Sequence, residues 1–385
     1  MQTRRTVLVL GGGVGGVVAA TRLRQLLGRR DRVVLIDREP QHLFQPSLLW
    51  LVVGRRRPEQ IQRPLDRLRR KGIEVLIGEI ADFAPEARRV RVDGEDIAGD
   101  AVIVSLGADL APDAVPGLAD AGHNLYTLAG GLGARSALEA FRGGRVVVLT
   151  TAPAYKCPAA PYEAAMLIES EFRHRRLREG ARIDFYAAEP GPMGVAGPEV
   201  SAGVRQMIEQ RGIAYHPEHQ VSSVDASARQ ISFTNGAVVE YDLLLFVPPH
   251  RAPAVVREAG LVGDSGWIPV DRHTLETSFP SVFAIGDVTA IPLALGKPLP
   301  KAGVFAHGQA EVVARNLACA WTGRGKPTRF SGHGGCFLEA GDGKAGYGSG
   351  DFYAEPTPQV RLRRPGWWWH LGKVLFEKRW LGSRL

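Results

Sequence analysis

A strand, a glycine-rich turn, a helix and a second strand follow one another in TVLVLGGGVGGVVAATRLRQLLGRRDRVVLID, residues Thr6–Asp37. Gly11, Gly13 and Gly16 have the spacing of a turn that lets a pyrophosphate approach the helix N-terminus closely. Asp37 ends the second strand, where a carboxylate can accept a hydrogen bond from a ribose hydroxyl. The glycines alone would fit an ordinary structural turn, but the full pattern predicts a dinucleotide site.

Short apolar strands and helices continue to alternate after this unit, and a second block of the same kind begins at Arg145. Asn235 and Gly236 form a two-residue turn signal within a hairpin over residues 230–240. The predicted strands cover residues 74–77, 89–92, 101–106, 145–149, 182–187, 242–247 and 281–285, and the predicted helices cover residues 17–30, 162–178, 201–211 and 304–321.

This order predicts an α/β protein with two Rossmann-like domains of the glutathione reductase type and a C-terminal amphipathic region that associates with a membrane. We expect residues 1–108 and 251–325 to form a discontinuous nucleotide-binding domain. Residues 109–250 then form a degenerate second dinucleotide-binding-like domain, and residues 326–385 the C-terminal region.

The cysteine content and the apolar runs of the sequence indicate in which cellular compartment the protein works. Three cysteines in 385 residues exclude a disulfide scaffold and indicate a reducing compartment, where a disulfide is catalytic rather than structural. The start of the chain, Met1–Arg5, lacks the pattern of a secretory signal, so no export is expected. No apolar run approaches the roughly 18 residues of a spanning helix. We therefore expect a peripheral protein on the cytoplasmic side of the cell membrane.

Further nucleotide-binding elements stand after the second block. Gly286 and Asp287 follow an apolar strand, and a carboxylate at a strand's C-terminal end can hold a ribityl hydroxyl. Lys301, Ala302 and Gly303 then lead into a predicted helix whose N-terminus would stabilise negative charge on a reduced flavin ring.

Two cysteines are predicted to lie in loops. Cys157 follows Lys156, whose ammonium should favour the thiolate, and Cys336 lies among glycines that allow close approach to a flat molecule. Cys319 instead fits a packed helix. The isolated histidines show no metal-ligand spacing, and no metal site is predicted.

The tail combines tryptophans, leucines and basic residues. A helix over residues 367–381 would place His370, Lys373 and Glu377 on one polar stripe, with nearly all other positions apolar. This composition suits a helix lying in a membrane interface, although docking on the protein's own core or on a second copy is an open alternative. Net charge is +8, and most of the basic excess lies after residue 360. Because no reader module accompanies it, nucleic acid is not an expected partner.

Taken in order, these features resemble the sulfide:quinone oxidoreductases along the whole chain. Flavocytochrome c sulfide dehydrogenase flavoprotein subunits and type II NADH dehydrogenases are looser relatives. The most specific marker is KCPAAPYE, which contains Cys157 and Glu163 where a second glycine-rich loop would stand. The residues that match the family's FAD elements are Gly11, Gly13, Gly16, Asp37, Ile80, Gly107, Gly286, Asp287, Lys301, Ala302 and Gly303.

The resemblance implies a catalytic set of Cys157, Cys336 and Glu163, in which the two cysteines form a redox pair on one face of the flavin. Phe337 would line a quinone pocket on the other face, and Lys373 falls near the position of a family lysine that serves quinone reduction. Hydrosulfide would attack the disulfide, leaving a persulfide on one cysteine and a thiolate on the other. The expected partners are hydrogen sulfide, a quinone, a small thiol or sulfide as sulfur acceptor, and a membrane surface, with a homo-oligomer left open.

Two departures from the family pattern matter. No cysteine lies between Gly107 and Cys157, so FAD is expected to be bound non-covalently. A family histidine after the second block's second strand is also missing, with Met193 in that region. The alternatives are a type II NADH:quinone dehydrogenase, which needs a glycine-rich loop after Leu149, and a non-catalytic flavin and thiol redox sensor or persulfide carrier.

Overall fold

The computed structural model describes residues 4–385, so the first three residues, on which the expectation of no export partly rests, lie outside it. Two five-stranded parallel sheets carry helices on their faces, and smaller antiparallel sheets lie at their margins. The predicted α/β class with Rossmann-like sheets is confirmed. The division into domains stays a prediction.

The first parallel sheet is built around the strand Thr6–Leu10. Its strands, in spatial order, are Val282–Ala284, Ala101–Val104, Thr6–Leu10, Arg32–Asp37 and Glu74–Ile77. Alternate side chains of Thr6–Leu10 enter different apolar cores, since Val7 and Val9 face one side and Leu8 and Leu10 the other. Burial on both faces explains the continuous apolar run of this strand.

The second parallel sheet has the same kind of architecture. Its strands, in spatial order, are His123–Asn124, Leu243–Val247, Gly144–Thr150, Ala181–Ala187 and Ala214–His216. The helix Ala160–His174, here called the thiol helix, follows the central strand and is buried along almost its whole length. It is covered on its outer side by the C-terminal strand His333–Gly341.

The remaining elements connect and cover these sheets. The antiparallel strands are Gln41–Leu43 with Gln62–Pro64; Ile80–Ala84, Arg89–Val92 and Glu95–Ala98; Asp109–Leu110 with His250–Arg251; Val221–Asp225, Gln230–Phe233 and Val238–Glu240; and His333–Gly341, Lys344–Asp351 and Gln359–Gly366. A parallel pair joins Ile268–Pro269 to Thr289–Ala290. The α-helices are Val14–Leu26, Leu48–Val52, Pro58–Ile61, Leu118–Ala121, Leu128–Ala140, Ala160–His174, Pro198–Glu209, Ala254–Glu258, Gly303–Thr322 and Trp367–Arg379.

The predicted elements differ from these mainly at their ends. The first helix begins at Val14, because Gly13 serves as its N-cap, and stops at Leu26, because Leu27 is already extended. Cys336 lies within a strand rather than in the predicted loop. The tail helix ends at Arg379 and continues as one wide helical turn. Across residues 4–385 no helix combines the length and the apolar character needed to cross a bilayer.

Candidate active site

The first glycine turn is tightly packed inside and open outside. Gly11 has φ +100°, and a Cβ there would lie 2.3 Å from the carbonyl oxygen of Ser105. A Cβ on Gly16 would lie 1.7 Å from the carbonyl oxygen of Gly11. Gly13, by contrast, has open space around it at the start of the first helix. The turn therefore leaves room for a phosphate group where helical N–H groups are unpaired.

Asp37 is fixed beside this turn. One carboxylate oxygen accepts from the backbone N–H of Gly12, and the other accepts from the backbone N–H of Glu39 at 2.7 Å. The side chain is half-buried, so it can accept further hydrogen bonds from a nucleotide ribose.

A buried acceptor without a partner lies at the end of the strand Val282–Ala284. Oδ1 of Asp287 is buried and has no hydrogen-bond partner among the described residues, and burial raises the pKa of this carboxyl group. Such an atom requires a donor that the protein does not supply, as a ribityl hydroxyl would. The residues present therefore fit a flavin nucleotide.

Lys301 lies beside the same carboxylate. Its ammonium donates to the backbone oxygens of Asp287 at 2.6 Å and Thr289 at 3.0 Å, and lies 3.4 Å from the centre of the Trp267 ring. Burial lowers the pKa of Lys301 to about 8, against the opposing charge of Asp287. Ala302 is the N-cap of the helix Gly303–Thr322, so this helix begins next to the charged pair.

Two expected cofactor contacts lie outside the first glycine turn. Gly107 has φ +70° and open space beside it. Ile80 is buried in the apolar core together with Leu8 and Leu10, so its side chain serves packing. Direct contact of either residue with a cofactor stays a prediction.

Cys157 is held in an unusual backbone conformation just before the thiol helix. Its φ is +49°, a left-handed conformation that is unfavourable for a side chain with a Cβ and is often found at functional sites. Its N–H donates to the carbonyl oxygen of Lys301 at 2.6 Å, and its carbonyl oxygen accepts from the hydroxyl of Tyr126 at 3.0 Å. The loop therefore ties the second block to the segment that leads into the helix Gly303–Thr322.

Cys336 lies on the strand that covers the thiol helix, and the structure places the two free thiols within electrostatic reach of each other. Burial raises the pKa of Cys157 well above its ordinary value, and a charge on Cys336 raises it further. Burial likewise raises the pKa of Cys336 to about 11. Cys336 nevertheless keeps an exposed surface, whereas Cys157 is only partly exposed.

The prediction that Lys156 favours a Cys157 thiolate is wrong. Desolvation dominates the pKa of Cys157, and the ammonium that lowers it is that of Lys373. The charge of Lys156 instead acts on Asp287 and His250.

A buried charge pair links the thiol helix to the tail. Nζ of Lys373 donates to Oε2 of Glu163 at 2.7 Å, and the same oxygen accepts from the backbone N–H of Glu339 at 2.9 Å. Burial raises the pKa of Glu163. Burial alone would lower the pKa of Lys373, but the charges of Glu163 and Glu339 outweigh it and raise the pKa. Lys373 is therefore an ammonium, and both cysteines lie in its field.

Aromatic side chains surround this pair. The Trp50 ring lies under Nζ of Lys373, 4.9 Å from the ring centre, and the edge of His370 contacts the same ring. Phe337 follows Cys336 and packs against Gly372 of the tail helix and against Tyr347. Thus Cys157, Cys336, Glu163, Phe337 and Lys373 are brought to one region.

The sequence interpretation missed several residues of this region. Glu339 is an isolated acid in an otherwise apolar stretch of its strand, a signal that could have been recognised. Trp50 and His42 carry no local signal. His42 is buried, contacts the carbonyl oxygen of Gly12 at 2.8 Å and accepts from the indole N–H of Trp380 at 3.0 Å. The tail therefore contacts the first glycine turn through one histidine.

In the second block, protein side chains take up the carboxylate that corresponds to Asp37 of the first block. Glu189 follows the strand Ala181–Ala187, as Asp37 ends the second strand of the first block, but it is buried and accepts from three hydroxyl groups. These belong to Thr150 at 2.8 Å, Tyr155 at 2.5 Å and Tyr162 at 2.7 Å.

Comparison with known proteins agrees with this geometry. The profile described as pyridine nucleotide-disulphide oxidoreductase matches residues 5–310. The chain belongs to the pyridine nucleotide-disulphide oxidoreductase family. It is a flavin-dependent oxidoreductase.

Relatives within this family share most of the chain. The sulfide-quinone reductase of Aquifex aeolicus is 28% identical over 97% of this chain and 90% of that protein. The mitochondrial sulfide:quinone oxidoreductase of Mus musculus is 26% identical over 91% of this chain and 79% of that protein. The X-ray structure of the sulfide:quinone oxidoreductase from Aquifex aeolicus superposes with a TM-score of 0.89 at 26% identity, covering 99% of this chain and 91% of that one.

The C-terminal helix of this oxidoreductase, Trp367–Arg379, buries charged side chains and exposes apolar ones. Its buried residues are Lys373 and Glu377, and Glu377 is paired with Arg56 at 2.8 Å. Large apolar side chains face outward instead: Trp367, Trp368, Leu371, Leu375 and Phe376. The predicted polar stripe is therefore the docked face, and an apolar surface is presented to the surroundings.

Proposed function

We propose that this oxidoreductase oxidises hydrogen sulfide at Cys157 and Cys336 and passes two electrons through non-covalently bound FAD to a membrane quinone. The observation that carries the proposal is the convergence of these two thiols with the buried pair of Glu163 and Lys373, where a second phosphate loop would otherwise stand. The similarity to the sulfide-quinone reductase of Aquifex aeolicus and to the sulfide:quinone oxidoreductase of Mus musculus supports sulfide and quinone as substrates.

The residues that would hold FAD belong to both ends of the first domain. The turn from Gly11 to Gly16 would bind the pyrophosphate, Asp37 the ribose and Asp287 the ribityl chain. When bound, FAD accepts two electrons from sulfur and releases them to a quinone. Cys319 borders a separate basic cavity next to Arg5, away from these residues, which supports non-covalent binding.

The sulfur chemistry is a sequence of exchanges. Hydrosulfide attacks one sulfur of a Cys157–Cys336 disulfide, so that the S–S bond breaks, a persulfide forms on one cysteine and the other becomes a thiolate. A small thiolate or a second sulfide then removes the outer sulfur, leaving a second thiolate. Loss of two electrons from the two thiolates re-forms the disulfide. Lys373 favours each thiolate, since its charge lowers the pKa of both cysteines.

Quinone reduction also consumes two protons. Lys373 and Glu163 form a hydrogen-bonded pair whose charges act on both thiols, and Phe337 offers an apolar wall beside the tail helix. We assign proton delivery to Lys373, with Glu163 holding its ammonium in place.

The C-terminal helix provides the route to a lipid-soluble acceptor. Its outward tryptophans, leucines and phenylalanine suit the boundary between lipid headgroups and acyl chains, while its charged residues anchor it to the protein. We propose that the cytoplasmic surface of the membrane is the partner of this face.

Anaerobic titration of the holoenzyme tests the proposal. Sulfide should bleach the flavin of the wild type, and added quinone should restore its colour through many cycles. Cys157→Ser and Cys336→Ser should abolish the sulfide-dependent step, whereas Cys319→Ser should leave it unchanged. Near wild-type turnover in either of the first two variants would refute the scheme. A single reduction without turnover would instead favour a sensor or persulfide carrier.

An NADH dehydrogenase activity has less support. The carboxylate of Glu189 is at the position that would bind the ribose of a second nucleotide, but it already accepts hydrogen bonds from the hydroxyls of Thr150, Tyr155 and Tyr162. In addition, no glycine-rich loop follows Leu149. NADH should therefore leave the flavin oxidised under conditions in which sulfide reduces it. Bleaching by NADH at a comparable rate would reverse this assignment.

A further inference from the structure

A second buried acid, Glu339, lies next to the pair of Glu163 and Lys373 and contacts the tail helix. The carboxylate of Glu339 is fully buried, and both of its oxygens lie 3.0 Å from Nδ1 of His370. No other side chain among residues 4–385 hydrogen-bonds to this carboxylate. Among these residues His370 is therefore the one side chain in place to pass a proton to Glu339.

His370 itself faces open space. It lines a cavity of about 680 Å³ beside the tail helix, and its side chain is 27% exposed. Its other ring nitrogen, Nε2, has no hydrogen-bond partner in the described part of the chain and is not a buried atom. An imidazole with one nitrogen on a buried carboxylate and the other toward an open cavity can take up a proton on one side and release it on the other.

On its inner side Glu339 contacts the charge pair. Its backbone N–H donates to Glu163, and its carboxylate raises the pKa of Lys373, so the two acids and the ammonium form one electrostatic unit. The other ionisable groups near Glu339 and His370 include Cys336 on the inner side. On the cavity side they are Arg55, Arg56, Glu59, Arg63, Glu377 and Lys378.

We propose that His370 and Glu339 conduct protons from this cavity to Lys373 and Glu163. Each proton that Lys373 gives to the quinone is replaced from the Glu339 carboxylate through a bridging water, since no hydrogen bond joins the two side chains among the described residues. Glu339 then regains its proton from His370, so two protons enter for each quinone that takes up two electrons. The proposal rests on the proposed function in taking a quinone as the electron acceptor and Lys373 as its proton donor. His370 and Glu339 act through Lys373 and are positioning residues of this path.

The test isolates quinone reduction from sulfide. The holoenzyme is photoreduced without sulfide and mixed anaerobically with a water-soluble ubiquinone analogue, while flavin reoxidation is followed by stopped flow. His370→Ala should slow reoxidation by roughly ten- to hundredfold, in the range of lost acid–base assistance. Free imidazole should restore much of the rate, because the alanine leaves a hole open to the cavity. A purely structural role of His370 would not respond to imidazole.

Two further variants complete the design. Glu339→Gln keeps the backbone bond to Glu163 but carries no exchangeable acid proton, so it should be slow and insensitive to imidazole. His333→Ala, an exposed histidine at the start of the same strand, is the matched control and should behave as wild type. If His370→Ala loses its flavin, His370→Gln takes its place and should also be slow.

Wild-type reoxidation in either His370 variant overturns the relay, and so does a slow His370→Ala that imidazole does not restore. Failure of the wild type to pass electrons to the quinone would refute the proposed function instead. Failure of sulfide alone to reduce the flavin would leave the relay result valid.

Discussion

Lys373 and Glu163 stand 210 residues apart in the chain, yet their side chains meet at 2.7 Å, with only 4% and 3% of each residue exposed. The pair attaches the tail helix to the thiol helix. It also places a fixed positive charge beside both cysteines. Stability and thiol chemistry therefore depend on the same contact.

Removing one partner of this pair should destabilise the protein. Lys373→Met leaves the Glu163 carboxylate buried without its counter-ion, which typically costs about 3–5 kcal/mol in the free energy of unfolding. The double variant with Glu163→Gln should lose clearly less than the sum of the two single variants, as measured by urea unfolding. Arg205→Met, which removes the exposed pair of Arg205 with Glu209, should change stability by less than about 1 kcal/mol. Additive losses would show that the charges are solvated independently.

The reactivity of Cys336 should rise steeply with pH. Its pKa is raised to about 11, so the reactive thiolate is scarce at neutral pH, and alkylation should accelerate about tenfold per pH unit between pH 8 and 10. The measurement uses the reduced holoenzyme carrying Cys157→Ser and Cys319→Ser, so that one thiol remains. Adding Lys373→Met should slow alkylation further at each pH, because the ammonium lowers this pKa. A rate that levels off near pH 8 would contradict the raised pKa of Cys336.

The outward face of the C-terminal helix should determine membrane binding. Trp368 is 61% and Leu375 57% exposed, and replacing each by glutamine removes about 1.5–3 kcal/mol of burial on insertion. Vesicle sedimentation should show at least roughly tenfold weaker binding for each variant, while unfolding stays nearly unchanged. Val238→Gln, in a hairpin of the second block with 59% exposure, is the matched control and should bind as wild type. Equal loss in all three variants would indicate general apolar adhesion.

Alanine substitutions of two glycines in the first turn should affect different properties, one the stability of the protein and the other the binding of the flavin. A Cβ on Gly16 meets the backbone of Gly11, so Gly16→Ala should destabilise the protein by at least the roughly 1–3 kcal/mol that overpacking costs. Gly13→Ala has open space and φ −70°, so it should keep its stability and only weaken flavin binding. Urea unfolding and the flavin content of the purified protein distinguish these outcomes. Equal destabilisation of the apoproteins would refute the distinction.

Local sequence signals were sufficient to predict the parallel sheets and the strand–turn–helix–strand unit of residues 6–37. Apolar runs, glycine spacing and the terminal carboxylate of Thr6–Asp37 act over a few residues, so their structure follows from steric limits and burial. The ends of helices were less predictable, because capping by Gly13 and the extended Leu27 depend on details of one or two residues.

The chemistry of the site depended on residues that meet only in three dimensions. The sequence identified Cys157, Cys336, Glu163 and Lys373 as candidates, but it suggested the wrong ammonium for the thiol, since desolvation and the approach of Lys373 are properties of the folded packing. Glu339 and His370 became partners only when a strand covered the thiol helix and the tail docked on both. The amino-acid order thus determined which elements form, whereas burial and long-range contact decided which charges act together.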